Sequence, residues 1–185
     1  MNTSFLATTL IAASALLNLA HAADGTINVS GAISDSTCKI NGAIQNGSAV
    51  ATLTIALPTV AKADFAMAGK TGPIVTGTTG SASNITLTSC PASVTVKLSM
   101  DGNGSNINAA TNSYKSTSGT STNMSAQIMN AEDGSVLDPF GNTAISKITD
   151  ASGNATFLLG ARYYSLGATT AGTFNTTAGF NITYQ

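Results

Sequence analysis

The sequence predicts a single all-β sandwich. Three observations carry this. Apolar and polar residues alternate with period two in run after run, the signature of half-buried strands. Clusters of Gly, Asn, Asp, Ser and Pro separate the runs, as turns do. Charged residues make up 8% of the chain and hydrophobic residues 43%, and no long helical period breaks the pattern. The length of 185 residues suits one domain. The charge balance excludes two classes. Seven Lys and Arg, spread along the chain and giving a net charge of −1, cannot form the basic patch a nucleic-acid binder needs. Low charge and ample hydrophobicity exclude disorder.

The first segment stands apart from the sandwich. Residues 5–20 read FLATTLIAASALLNLA, shorter than the ~20 residues that span a bilayer. Ala20-His21-Ala22 follows as a small-x-small cleavage pattern. This predicts a secretory signal peptide over residues 1–22, cut after Ala22. Cleavage would remove His21, the single histidine. A Ser-His-Asp or Cys-His catalytic site is then out of reach, and zinc loses its usual nitrogen ligand. Export also explains the cysteines. Cys38 and Cys90 form one even pair in an oxidising compartment, so a disulfide is expected.

The remaining elements follow in order. Residues 24–34 alternate strictly, with Gly25, Ile27, Val29, Gly31 and Ile33 on one face. Residues 49–57 (AVATLTIAL) form a second strand candidate, stopped by Pro58. Residues 60–67 suit a helical turn. Residues 84–89 alternate through Ile85 and Leu87 into Cys90, and Val94, Val96 and Leu98 alternate next. A polar stretch over 101–122 reads as a long loop or a loop-and-short-strand region. Residues 126–129, Asp133-Gly134 and Val136-Leu137 read as a hairpin. Residues 155–164 form another strand. The last run places Phe174, Thr176, Ala178, Phe180, Ile182 and Tyr184 on one face. Some seven to nine strands without a linker point to an immunoglobulin-like sandwich. The first run is either its ordinary first strand or an extended arm, able to pair with the edge of another sheet.

Longer motifs carry a family resemblance. ADGTINVSGAISDSTC (23–38) resembles the N-terminal extension of chaperone–usher fimbrial subunits of the type 1-like kind. SNITLTSC (83–90) and AQIMNAEDGSVLDP (126–139) resemble that family's strand into the second half-cystine and its late hairpin. ARYYSLGATTAGTFNTTAGFNITYQ (161–185) is the most specific match. It carries the Arg-Tyr-Tyr strand, a Gly fourteenth from the end (Gly172) and a penultimate aromatic (Tyr184). The Cys38 to Cys90 spacing reads as an insertion around residues 62–79.

The resemblance implies an incomplete immunoglobulin-like sandwich, completed in trans by a donor strand. Residues 23–36 would be the donor extension and 37–185 the pilin domain. Ile27, Val29 and Ile33 would act as plugs, with Gly25 and Gly31 where the groove is shallow. Gly172, Phe174, Thr176, Ala178, Phe180, Ile182, Tyr184 and Gln185 would form the groove edge and the chaperone-binding strand. The implied partners are further subunits in a homopolymer, a periplasmic chaperone and an outer-membrane usher, with no nucleic acid. The implied destination is a fimbrium on the cell surface, reached through the periplasm. No cofactor or metal is implied.

Two other classes compete. A tip adhesin would bind host glycan, here through loops over 101–122. That class usually carries a separate lectin domain and lacks a donor arm. An enzyme would need paired carboxylates in place of histidine. Glu132, Asp133 and Asp138 are the only cluster, and Asp133-Gly134 reads more simply as a turn. No enzyme is expected.

Overall fold

The computed structural model describes residues 38–40, 43–44, 53–76 and 84–185. These build thirteen short strands. They are β1 (Lys39–Ile40), β2 (Ala43–Ile44), β3 (Val75–Thr76), β4 (Asn84–Thr88), β5 (Thr95–Met100), β6 (Ile107–Asn108), β7 (Ser113–Lys115), β8 (Ser118–Gly119), β9 (Met124–Asn130), β10 (Ala144–Ile148), β11 (Ala155–Ser165), β12 (Phe174–Asn175) and β13 (Phe180–Tyr184). The helical content of the described residues is two 3-10 turns, Lys62–Phe65 and Ala109–Thr111. The first lies within the helical turn expected over 60–67.

The larger sheet runs β2-β1-β4-β11-β9-β7-β6, with β3 also pairing along β11. A second sheet has the order β10-β5-β13, and β12 pairs with β8 alone. All the pairings are antiparallel. That lets a strand bury one face and keep a polar one, though β9 is buried along nearly its whole length. In β4 the buried residues are Ile85 and Leu87, and in β5 they are Val96, Leu98 and Met100. β11 is the spine. Ala155, Phe157, Leu159 and Ala161 alternate inward along it. Its first half pairs with β4 and its second half with β9 and β3. All of these residues but Ala161 join in one core with Ile40, Tyr114, Leu137 and Ile145. Tyr114 is 2% exposed, and its hydroxyl has no partner among the described residues.

The Cys38–Cys90 disulfide forms as expected, with Cα atoms 4.5 Å apart. It joins the start of β1 to the residues just after β4. β1 and β4 pair next to it, Lys39 opposite Thr88. The turn before β11 seals this corner. Gly153 there has φ +74°, the left-handed region glycine tolerates, and its carbonyl accepts from the Cys90 N–H at 3.0 Å. The Asp150 carboxylate accepts from the backbone N–H groups of Ser152 and Asn154 and is held below its usual 3.8, chiefly by the Asn154 bond. The expected hairpin forms as well: the Leu137 N–H donates to the Ile128 carbonyl, and Val136 bridges Met129.

Two expectations need correction, and a third falls outside the described residues. The strand over 49–57 is not a ladder strand in its described part. Residues 53–57 join no sheet, although burial alternates along them. The run over 174–184 is not one strand. It splits into β12 and β13, which pair with different partners, because its alternation is a property of side chains while ladder partners are set by what lies alongside. Its Tyr184 side chain is exposed, unlike the inward five before it. The leader and the run over 24–34 lie outside the described residues, among them Gly25, Ile27, Val29, Gly31 and Ile33.

Candidate functional site: an apolar cleft along the C-terminal run

A cleft of about 740 Å³ opens between the C-terminal run and residues 53–57. Its floor comes from Met100 of β5, Ala126 and Ile128 of β9, and Leu159, Ala161 and Tyr163 of β11. These are inward positions of neighbouring strands, with Ala161 opposite Ile128 and Tyr163 opposite Ala126. The two alanines leave the floor deep. Tyr163 meets Phe65 and Phe174 edge-to-face at centroid distances of 6.1 and 5.7 Å, within the range where aromatic pairs attract.

One wall is residues 53–57. Leu53, Ile55 and Leu57 are half-buried while Thr54 and Ala56 are exposed, and Leu53 packs against the core. These five residues make no backbone hydrogen bond to another described residue. The other wall is the C-terminal run. Phe174, Thr176, Ala178 and Phe180 line the cleft. Ile182 packs against the core farther along.

Backbone polarity decides what this wall can do. In an extended chain, successive residues turn their N–H and C=O groups to opposite edges. The odd-numbered residues of this run are engaged on one edge. The Thr173 carbonyl accepts from the Thr120 and Ser121 N–H groups, that of Asn175 from Thr117, and that of Gly179 from Asp101. The Thr177 carbonyl accepts from the Asn106 side-chain amide at 2.9 Å. Gln185 exchanges both its groups with Thr95. The even-numbered residues of the run face the other way, onto the cleft, and β13 pairs only with β5 among the described strands. Among the described residues, the donors and acceptors on that edge have no backbone partner, and the edge borders an apolar trough.

Gly172 lies outside the lining, where it permits a close approach. A Cβ there would stand 2.5 Å from Thr120 Oγ1 and 2.6 Å from the Ser121 nitrogen. The polar stretch over 101–122 supplies β6, β7 and β8 and bonds to the C-terminal run through Ser116, Thr117 and Thr120. Its Ser, Thr and Asn content, read from sequence as solvated loop, serves to fix that run.

The chemistry of the lining is simple. Among the described residues Tyr163 is its one titratable group, and burial pushes its hydroxyl above the usual 10.0. No carboxylate or ammonium of the described residues borders the cleft. Among the described residues no group of three or more His, Cys, Asp and Glu could hold a metal. The site suits an extended segment that brings backbone hydrogen bonds and alternate apolar side chains. Sequence reasoning had marked the C-terminal wall. It missed the wall at 53–57 as part of a site, although the Leu53, Ile55, Leu57 alternation was visible. It also missed Ala126 and Ala161, whose small size signals nothing until their strands are paired.

Comparisons with known proteins agree with this geometry. Residues 27–185 match the family model described as Fimbrial protein. The chain is 34% identical over 177 residues to the minor fimbrial subunit HifD of Haemophilus influenzae, covering 90% of this chain and 76% of that protein. It is 30% identical over 166 residues to the type-1 fimbrial protein A chain of Escherichia coli, covering 87% and 84%. Among solved structures, the P pilus rod subunit PapA superposes with a TM-score of 0.58 at 19% identity, over 81% of this chain and all of that one.

Proposed function

The chain belongs to the fimbrial protein family as a structural subunit of a cell-surface fimbrium, and from that premise we propose that it polymerises by donor-strand exchange. One observation carries the proposal: among the described residues, the C-terminal run presents an unpaired edge to an apolar cleft. Such an edge is an aggregation hazard unless covered. An added strand covers it and makes the interaction specific.

The arm over residues 23–36 of a second copy is the occupant that fits. Ile27, Val29 and Ile33 would enter the cleft, and Gly25 and Gly31 would lie where it is shallow. Homopolymerisation follows, since each copy carries both arm and cleft. Before assembly a periplasmic chaperone would lend a strand to the same edge, along Phe174, Thr176, Ala178, Phe180 and Ile182 and towards Gln185. An outer-membrane usher would exchange that strand for the arm. The signal peptide over 1–22 would supply export to the periplasm. The role is structural, without catalysis or cofactor. The tip-adhesin reading is not favoured, because the 101–122 segment that would bind glycan is committed to holding the C-terminal run.

The test adds a synthetic peptide of residues 23–36 to the processed chain during fibre growth. The peptide is expected to enter the cleft and stop elongation in proportion to its concentration. A peptide with Ile27 and Val29 changed to Asp is expected to be inert. Unhindered growth at saturating peptide overturns the proposal.

A further inference from the structure

We propose that Asn106 is a positioning residue for strand uptake: its carboxamide stands in for a missing strand and keeps the cleft-side edge of residues 176–178 extended. The inference rests on the donor-strand reading above and deepens it.

The C-terminal run changes partners midway. Asn175 is the last residue paired with β8, opposite Ser118. Phe180 is the first paired with β5, opposite Met100. Residues 176–179 have no ladder, yet 176–178 form the middle of the cleft wall. An incoming strand needs a continuous edge, because ladder hydrogen bonds recur at fixed spacing and each missed bond weakens its neighbours.

Asn106 fills this gap. Its side-chain nitrogen donates to the Thr177 carbonyl and to Thr176 Oγ1, both at 2.9 Å. Thr176 Oγ1 in turn donates to the Lys115 carbonyl at 2.7 Å. The backbone of Asn106 is itself held: the Lys115 N–H donates to its main-chain carbonyl at 2.7 Å. Gly104 leaves room for the side chain, since a Cβ there would lie 2.6 Å from Asn106 Oδ1. Beyond it the Asp101 N–H takes the Gly179 carbonyl at 3.0 Å. The carbonyls of Asn175, Thr177 and Gly179 are thus all drawn to one edge, and among the described residues the middle one has Asn106 as its donor. Without that donor the Thr177 peptide is free to rotate, and the amides beside it no longer point squarely at the cleft.

The test uses the processed full-length chain and a fluorescent peptide of residues 23–36. Uptake rate and thermal midpoint are read for wild type, Asn106→Ala, Thr176→Val and the double variant. Asn106→Ala is expected to slow uptake about tenfold while the midpoint moves by only a few degrees. Thr176→Val is expected to slow it as well. The double variant is expected to be no slower than Asn106→Ala, because one clamp is lost in both. Wild-type uptake rates in the variants overturn the inference, as does slowing that only tracks a lowered midpoint. If the wild-type chain takes up no peptide, the assembly reading falls and this one with it. If wild type takes up peptide and the variants match it, only this inference falls.

Discussion

Replacing Ala161 with leucine separates the stability of the subunit from its capacity to assemble. Ala161 is 4% exposed and lies on the cleft floor. Its inward neighbours are Leu159 and Tyr163 on the same strand, and Ile128 faces it across the ladder. A leucine there projects into a cleft of about 740 Å³, so it fills space without displacing backbone. Each newly buried methylene contributes about 0.8 kcal/mol, so the free subunit is expected to keep or slightly gain stability. Strand uptake moves the other way. The leucine occupies the place of one plug, and losing the burial of one aliphatic side chain forfeits about 1.5–3 kcal/mol. At 1.4 kcal/mol per tenfold, that weakens arm-peptide binding roughly 10- to 150-fold. Fluorescence anisotropy with the labelled peptide of residues 23–36 measures the binding, and thermal unfolding of the same sample measures the fold. Unchanged affinity with an intact fold would refute the reasoning, since the floor would then not be where the plugs sit. Loss of more than about 1 kcal/mol of stability would refute it differently, by showing the floor already close-packed.

Other outcomes follow from the same structure. Changing both Cys38 and Cys90 to serine removes a link across 52 residues and is expected to cost about 4 kcal/mol by unfolded-chain entropy, read as a lower urea midpoint. Gly153→Ala should destabilise by about 2–4 kcal/mol, because the new Cβ would run into the Cys90 carbonyl oxygen at a φ of +74°; a wild-type melting curve would contradict this. Tyr114 gives a signature in alkali. Burial first, then the negative charges of Asp138 and Asp101, raise its hydroxyl from 10.0 to about 12. The folded state therefore holds this proton more tightly than the unfolded chain does. The contribution is fully present below pH 10 and is lost as pH rises towards 12, about 2–3 kcal/mol in all. In Tyr114→Phe that alkaline loss should shrink, while stability at neutral pH should hold or rise, because a buried hydroxyl without a partner is removed.

How much was legible in the sequence varies by element. Strands whose partners lie on both sides in a sheet were readable, because burial imposes period two on their residues. Ile85 and Leu87 in β4, Val96 and Leu98 in β5, and Phe157, Leu159 and Ala161 in β11 show this. The same logic read residues 53–57 as a strand and was half right. Their side chains alternate, but no described strand pairs with their backbone, and periodicity cannot tell an apolar wall from a ladder. In the polar stretch over 101–122, Asn106 and Thr120 are ordinary surface residue types. Their importance comes from carbonyls some 50 to 70 positions away in sequence, at Thr177, and from the Thr173 N–H.

By itself the sequence determined the class of the fold, the pairing of Cys38 with Cys90 and the polarity of the C-terminal run. Each depends on residue type and local spacing: alternation, an even pair of cysteines, a run of inward apolar positions. Only the tertiary structure decided which edge of that run stays open. It also decided that small side chains at Ala126 and Ala161 deepen the trough beside it, and that Asn106 bridges the break between β12 and β13. Those features depend on which distant segments lie alongside, and long-range backbone pairing leaves no period in the sequence.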